Sequence, residues 1–526
     1  MDHYENSIKN EAKAREPHET ESEKEIQNTN KSFITSTEKI LKENLSCEMF
    51  QFILNIFYSP HLAIKFFFSL FTLTGFGLAS YMIINLILIY TEFNVITTIR
   101  TLNENPVAFP KVTICNINPF TTQYAYEFLL GSNFINITQL VEASNENRNK
   151  ANIFLTLFRA SLLGKMFGLS DEQKKNFGHN LTDSLLSCIF NMEPCTSQDF
   201  QWEWDSTYGN CFSFNSGINS LGQQVNLSES FIASNTFGLQ IEFYVNFYEE
   251  LMFFNSLLYD YGLLIRIDNV SHVIHYLNGG IFIPHGSTTF IALNRQFKTS
   301  LPKPYSDCDD LTKTSFNSIL FNLIDQSVYE YTQKFCLEQC LQELFVHVCN
   351  CSYLDLANLR NTGFCSNAAQ LECCYQSYND IYFKNNYIQN TCLSQCPLEC
   401  NSFGISYKLS SSTLLPNVYK SLLQKNVNLK VDFINRSLDD ESVVLESVVK
   451  LNIFYDTLSY TSFEESPQMD IVSLLGSIGG NLGLFMGVCL FSFGEVFVAL
   501  IEIVLVKIST CKKKIILIHN KDYSGR

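Results

Sequence analysis

Apolar positions are gathered into two long stretches. From Phe66 to Tyr90 the chain reads FFFSLFTLTGFGLASYMIINLILIY, 25 residues without a charge, longer than the ~20 that cross a bilayer as a helix. The run starts too far from Met1, and is too long, for a cleaved signal peptide. A second run, Ile471 to Val506, extends 36 residues, which predicts tilt, a break or an extension beyond the lipid. Between the two, the pattern shortens and alternates. FPKVTICNINPF, GLQIEFYVNF from Gly238, GLLIRIDNV from Gly262, GGIFIPHGSTTFIALN from Gly279 and VVLESVVKLNIFY from Val443 all read as strands. VYEYTQKFCLEQCLQELFVHVC reads as a helix, with Cys336, Cys340, Phe345 and Cys349 at helical spacing. The pattern predicts a mixed β-sheet with peripheral helices. Residues 1–45 are polar, almost without aromatic residues, and are expected to be disordered.

Charge and cysteine usage orient this arrangement. Lys39, Lys42 and Lys65 precede the first run, and Lys507, Lys512, Lys513 and Lys514 follow the second, whereas Glu92, Glu464, Glu465 and Asp470 mark the opposite flanks. Both termini are therefore expected in the cytosol. The predicted organisation is a cytosolic segment 1–65, a first span 66–90, an extracellular domain 91–470, a second span 471–506 and a cytosolic tail 507–526. Of 18 cysteines, fifteen fall between Cys115 and Cys400, within the 91–470 segment, which also carries glycosylation sequons at Asn136, Asn180, Asn226, Asn269, Asn350 and Asn435. Both signals place that segment in an oxidising, extracellular compartment. Zinc at Cys349-Asn-Cys351 or Cys373-Cys374 is the competing reading, disfavoured by few histidines and the oxidised exterior; no metal and no cofactor is expected. A net charge of −16 without a basic cluster argues against nucleic acid. It reads either as solubility or, at Glu464, Glu465 and Asp470, as a device that concentrates cations.

The second run contains residues that a lipid-facing helix does not need. On a continuous helix, Gly476, Gly480, Gly483, Gly487 and Gly494 fall within about 60° of one another, with Glu495 and Glu502 at the edge of that stripe. The glycines suit a close-packing face, met as Gly476-xxx-Gly480 and Gly483-xxx-Gly487. They equally suit a narrow lumen where backbone approaches an ion. The carboxylates favour the lumen, because an ionised Glu inside a span costs roughly 2.5 kcal/mol or more unless it faces water. One helix cannot enclose a path, so several copies must surround an axis. No GxSxG, HExxH, GxxxxGK[ST] or placed GxGxxG occurs, so no enzyme is read.

Five motifs, in order and between two spans, carry a resemblance: FPKVTICNINPF, YGNCFSFNSG from Tyr208, LPKPYSDC from Leu301, CLSQCPLEC from Cys392 and GGNLGLFMG from Gly479. From about Asn55 to Ile508 the chain resembles the degenerin and epithelial sodium channel superfamily. The resemblance implies two transmembrane helices flanking a disulfide-rich α/β ectodomain, trimers with like or related subunits in the plasma membrane, and a sodium-permeable, amiloride-sensitive channel opened by an extracellular ligand such as a peptide. It implies the pairs Cys115–Cys211, Cys188–Cys195, Cys308–Cys400, Cys336–Cys396, Cys340–Cys392, Cys349–Cys373 and Cys351–Cys365, which leaves Cys374 over. The family's Gly-x-Ser selectivity belt matches Gly487, Val488 and Cys489, so a thiol replaces the hydroxyl, a softer ligand for a hard cation. Gly476 matches the position where bulky side chains hold relatives open, and Gly480, Gly483, Glu495 and Glu502 would line the path. Gln51 and Phe52 replace the family's His-Gly pair, and Asn94 and Val95 replace the histidine pair of acid-sensing members. A nonconducting or obligate heteromeric subunit is the alternative.

Overall fold

The computed structural model describes residues 35–37, 39, 56, 60–131, 162, 166, 168–205, 207–252, 260–269, 279–310, 318–327, 329–353, 356–365, 368–383, 386–426, 428–433, 435–488 and 490–524. Most of the N-terminal segment expected to be disordered lies outside them, as do Gln51, Phe52, Asn136 and Cys489. The chain divides into two units, residues 1–95 with 467–526, and residues 96–466.

Six helices matter here: α1 (Leu62–Thr91), α2 (Gln333–Cys349), α3 (Ala368–Ser377), α4 (Glu441–Ser447), α5 (Ile471–Met486) and α6 (Leu490–Ser524). The strands are β1 (Val95–Asn103), β2 (Val107–Ala108), β3 (Lys111–Asn116), β4 (Leu185–Phe190), β5 (Glu193–Pro194), β6 (Phe200–Asp205), β7 (Gly209–Phe214) and β8 (Glu229–Ser230). They continue with β9 (Leu239–Tyr244), β10 (Leu263–Asp268), β11 (Ile281–Ile283), β12 (Ser287–Thr299), β13 (Cys308–Asp309), β14 (Leu398–Glu399), β15 (Asn401–Thr413) and β16 (Val448–Pro467).

The 96–466 unit is built on two sheets. One has the order β15-β12-β16-β9-β4-β5, with β1 added on β16, and the other β11-β10-β3-β7-β6. The first is mixed, since β12 runs parallel to β16 and antiparallel to β15. Alternation along the strands explains the core between the sheets: Val112 and Ile114 of β3, Leu263 and Ile265 of β10, Ile241 of β9, Ile291 of β12 and Leu451 of β16 are buried in one cluster. A parallel pair needs a long crossover, here the whole stretch from β12 to β16 that holds α2, α3 and α4.

A second core is stapled by sulfur. Cys336 and Cys340 sit one turn apart on the same face of α2 and bond to Cys396 and Cys392. Cys308–Cys400 closes beside the short β13–β14 pair, and Cys349–Cys373 and Cys351–Cys365 tie the end of α2 to α3 and to the loop between them. Cys115–Cys211 links the neighbouring strands β3 and β7, and Cys188–Cys195 closes the β4–β5 turn. Because Cys349, Cys351 and Cys373 are spent in disulfides, the thiolates that a zinc site at those motifs requires are gone.

Two expectations are corrected locally. VVLESVVKLNIFY begins as the helix α4, because the Asp440 carboxylate accepts from the Ser442 N–H and starts a turn before the β-branched run takes over at Val448. The stretch from Gly279 is two strands, β11 and β12, parted at Gly286, which takes a left-handed φ of 67°. The helix expected around the cysteines starts at Gln333, where the Thr332 hydroxyl accepts from the Phe335 N–H.

Candidate pore segment

In the unit formed by residues 1–95 and 467–526, α1 is the helix among the described residues long and apolar enough to cross a membrane. Its threonines return their hydroxyls to the backbone, Thr72 to the Phe68 carbonyl at 2.7 Å and Thr74 to the Leu70 carbonyl at 3.0 Å, so neither presents an unmet donor to an apolar medium. The second apolar helix, α5, is only 16 residues long. Asp470 caps it by accepting from the Ser473 N–H at 2.8 Å, and those hydrogen bonds from Ser473 hold its carboxyl below the usual carboxylate range.

The long apolar run breaks at the glycine that ends α5. Gly487 takes φ 63° and ψ 19°, a left-handed conformation that costs an L-residue about 1–2 kcal/mol and glycine almost nothing. Its N–H donates to the Gly483 carbonyl at 3.0 Å and the Val488 N–H to the Leu482 carbonyl at 3.3 Å, which closes off the helix end. Helix resumes at Leu490 as α6. The uninterrupted wheel therefore does not hold across the run: Gly476, Gly480 and Gly483 share α5, whereas Gly494, Glu495 and Glu502 belong to α6. Glu495 and Glu502 are half-buried, Gly487 is exposed and Val488 half-buried; Cys489 lies outside the described residues.

Packing separates the glycines into two kinds. An added Cβ at Gly476, Gly479, Gly480 or Gly494 would meet nothing within 4 Å. At Gly75 of α1 it would lie 2.8 Å from the Phe485 carbonyl oxygen. Close approach of α1 to α5 thus depends on Gly75, and the glycine stripe of α5 stays open along this chain. Gly75 was missed by sequence reading, since GFG inside the first span does not tell Gly75, which meets the Phe485 carbonyl, from Gly77, which meets nothing within 4 Å.

The acidic residues flanking the run have structural partners. Glu464 lies 3.9 Å from Arg100, an exposed pair of little energetic weight, and Glu465 accepts from the Leu301 N–H at 3.1 Å. Asn94 donates to the Glu92 carboxylate at 2.8 Å, and Val95 opens β1. Among the sequons, Asn180, Asn226, Asn350 and Asn435 are exposed and Asn269 is half-buried.

The family model of the amiloride-sensitive sodium channel matches residues 42–499, most of the chain. The chain belongs to the amiloride-sensitive sodium channel family. The FMRFamide-activated amiloride-sensitive sodium channel of Cornu aspersum is 23% identical over 519 residues, spanning 84% of this chain and 79% of the relative. Acid-sensing ion channel 1C of Danio rerio is 25% identical over 469 residues, 86% and 82% of the two chains. Epithelial sodium channel subunit beta of Neoceratodus forsteri is 26% identical over 342 residues, 64% and 49%. This is the degenerin and epithelial sodium channel superfamily, whose members are plasma-membrane ion channels and not enzymes.

Proposed function

We propose that the chain is a subunit of a trimeric sodium-permeable channel, blocked by amiloride and opened by an extracellular ligand, with both termini in the cytosol, residues 66–90 and 471–506 in the membrane and 91–470 outside. The observation that carries the reading is the left-handed Gly487, which interrupts the second apolar run at the position that the resemblance matches to the family's Gly-x-Ser belt. A break in a helix leaves backbone carbonyls without intrahelical donors, and three copies of such a break around an axis supply oxygen dipoles that replace an ion's hydration. Gly487 and Val488 contribute backbone to that belt, and Cys489 completes it. Gly476 is the gate position, because an open glycine face permits close approach of copies in the shut state; Gly480, Gly483, Glu495 and Glu502 line the path on either side. Lipid surrounds α1, and sodium is the permeant partner.

The test is membrane current from cells expressing Gly476→Val alone, which disfavours the shut packing and removes the need to know the ligand. A standing current that reverses near the sodium potential and falls with amiloride is expected. Surface-expressed protein without current moves the reading to a nonconducting or obligate heteromeric subunit, the role suggested by the thiol at Cys489 and by Gln51-Phe52.

A further inference from the structure

Behind the α2–α3 corner, three sulfurs form one buried cluster. The Sγ atoms of Cys351, Cys365 and Cys374 all lie within 4.8 Å of one another, and all three residues are buried. Cys351 and Cys365 are bonded; Cys374, on α3, keeps its thiol and holds it 3.6 Å from the Cys365 Sγ. A nucleophilic thiol in contact with a disulfide sulfur is the starting geometry of exchange. The loop from Cys351 to Cys365 does not depend on its bridge alone to stay closed. The Ser352 N–H donates to the Gly363 carbonyl at 2.8 Å, the Cys365 N–H to the Ser352 carbonyl at 3.0 Å, and the Ser352 hydroxyl meets Thr362 and Asn358. These bonds hold Cys365 in place while its sulfur changes partner.

We propose that Cys374 competes with Cys351 for Cys365, so that the α2–α3 corner has two disulfide states with the same number of bonds. In the step, the Cys374 thiolate attacks the Cys365 Sγ, a Cys374–Cys365 bond forms as Cys351–Cys365 breaks, and the electron pair leaves on the Cys351 Sγ. The proton given up by Cys374 ends on Cys351, so nothing is oxidised or reduced overall. Exchange moves the bridge from the end of α2, beside the left-handed Asn350, onto α3, and leaves the loop tied at one end by hydrogen bonds only. Burial pushes the Cys374 thiol up to about 11, so at neutral pH few molecules hold the attacking thiolate and the exchange is slow.

The experiment uses the full-length chain in membranes: acid quench, alkylation with N-ethylmaleimide under denaturing conditions, digestion without reduction, and mass spectrometry of the peptides. In wild type held at pH 9, label is expected first on Cys374 and then, increasingly with time, on Cys351. In Cys351→Ser, the oxidants of the secretory pathway that close the other bridges are expected to join Cys365 to Cys374, leaving neither labelled. Cys374→Ser, with Cys351–Cys365 intact and unlabelled, shows that the corner still folds with one of the three sulfurs removed. Label confined to Cys374 in wild type at every time, or label on both Cys365 and Cys374 in Cys351→Ser, overturns the proposal.

Discussion

At residue scale, two positions set local chemistry that can be measured. Gly487 holds a left-handed φ of 63°, so Gly487→Ala introduces a strain of about 1–2 kcal/mol at the break. In the Gly476→Val background this change is expected to reduce the ratio of sodium to potassium permeability while leaving surface expression intact, read from reversal potentials in the two salts. An unchanged ratio would separate the helix break from selectivity. Asp268, the last residue of β10, lies opposite Lys111, and its Oδ2 has no hydrogen-bond partner among the described residues. Burial pushes its carboxyl up to about 7, against the opposing pull of Lys111 and Arg266 and with a small push from Glu203. Between the ordinary carboxylate value near 4 and pH 7 the folded protein therefore keeps a proton that the unfolded chain has lost. The contribution is fully present below about pH 4 and lost as pH rises through about 7. Asp268→Asn should flatten that part of the Tm-versus-pH curve of the detergent-solubilised protein and raise Tm at pH 8; an identical curve would show that the carboxyl is hydrated.

Among elements, the contact between α1 and α5 turns on a single missing side chain. In Gly75→Val the added Cβ lies 2.8 Å from the Phe485 carbonyl oxygen, which must move by separating the helices, whereas the Cβ added in Gly77→Val meets nothing within 4 Å. Overpacking of this kind costs about 1–3 kcal/mol. Gly75→Val is expected to lower the thermal stability of the solubilised protein and Gly77→Val to leave it nearly unchanged; equal effects would mean that helix propensity, not packing, is being measured. The same pair shows what the sequence could and could not disclose. The apolar run of α1 was legible because lipid excludes charge, and β9 was legible because one buried face enforces alternation; β3 and β10 are buried on both faces and were legible through their apolar and β-branched residues. Gly75 was not, since its partner is a backbone oxygen far along the chain. A helical wheel assumes continuity, so it placed Glu495 and Glu502 on one stripe with Gly476, and only the left-handed Gly487 divides them. VVLESVV misled for a local reason: β-branched residues suggest a strand, but the Asp440 cap wins for the seven residues of α4. Disulfide partners came through the resemblance alone, as fifteen cysteines in one segment admit many pairings.

For the whole molecule, the proposed orientation and the disulfide framework meet at the sequons. An N-glycan can be added only on the side of the membrane where the bridges also form, so occupancy at Asn180, Asn226 or Asn435 reports the location of residues 91–470 directly. All three are exposed, and Asn180 precedes an exposed Thr182, so they are not shielded among the described residues. Asn350 differs although it too is exposed. It stands in the left-handed C-cap of α2, its neighbour Cys351 is bridged to Cys365, and the hydroxyl of Ser352, which the sequon needs, is held in a residue with 0% exposure. Once that corner has closed, the sequon is no longer an extended, accessible tripeptide, so glycosylation there must precede the bridge. The expected outcome is high occupancy at Asn180, Asn226 and Asn435 and lower occupancy at Asn350, measured by peptide-level mass spectrometry after deglycosylation in heavy-oxygen water. Cys351→Ser preserves the sequon, delays closure and should raise occupancy at Asn350. If none of the exposed sequons carries a glycan on protein taken from the cell surface, the extracellular placement fails, and the topology read from the lysines on either side of the two runs fails with it.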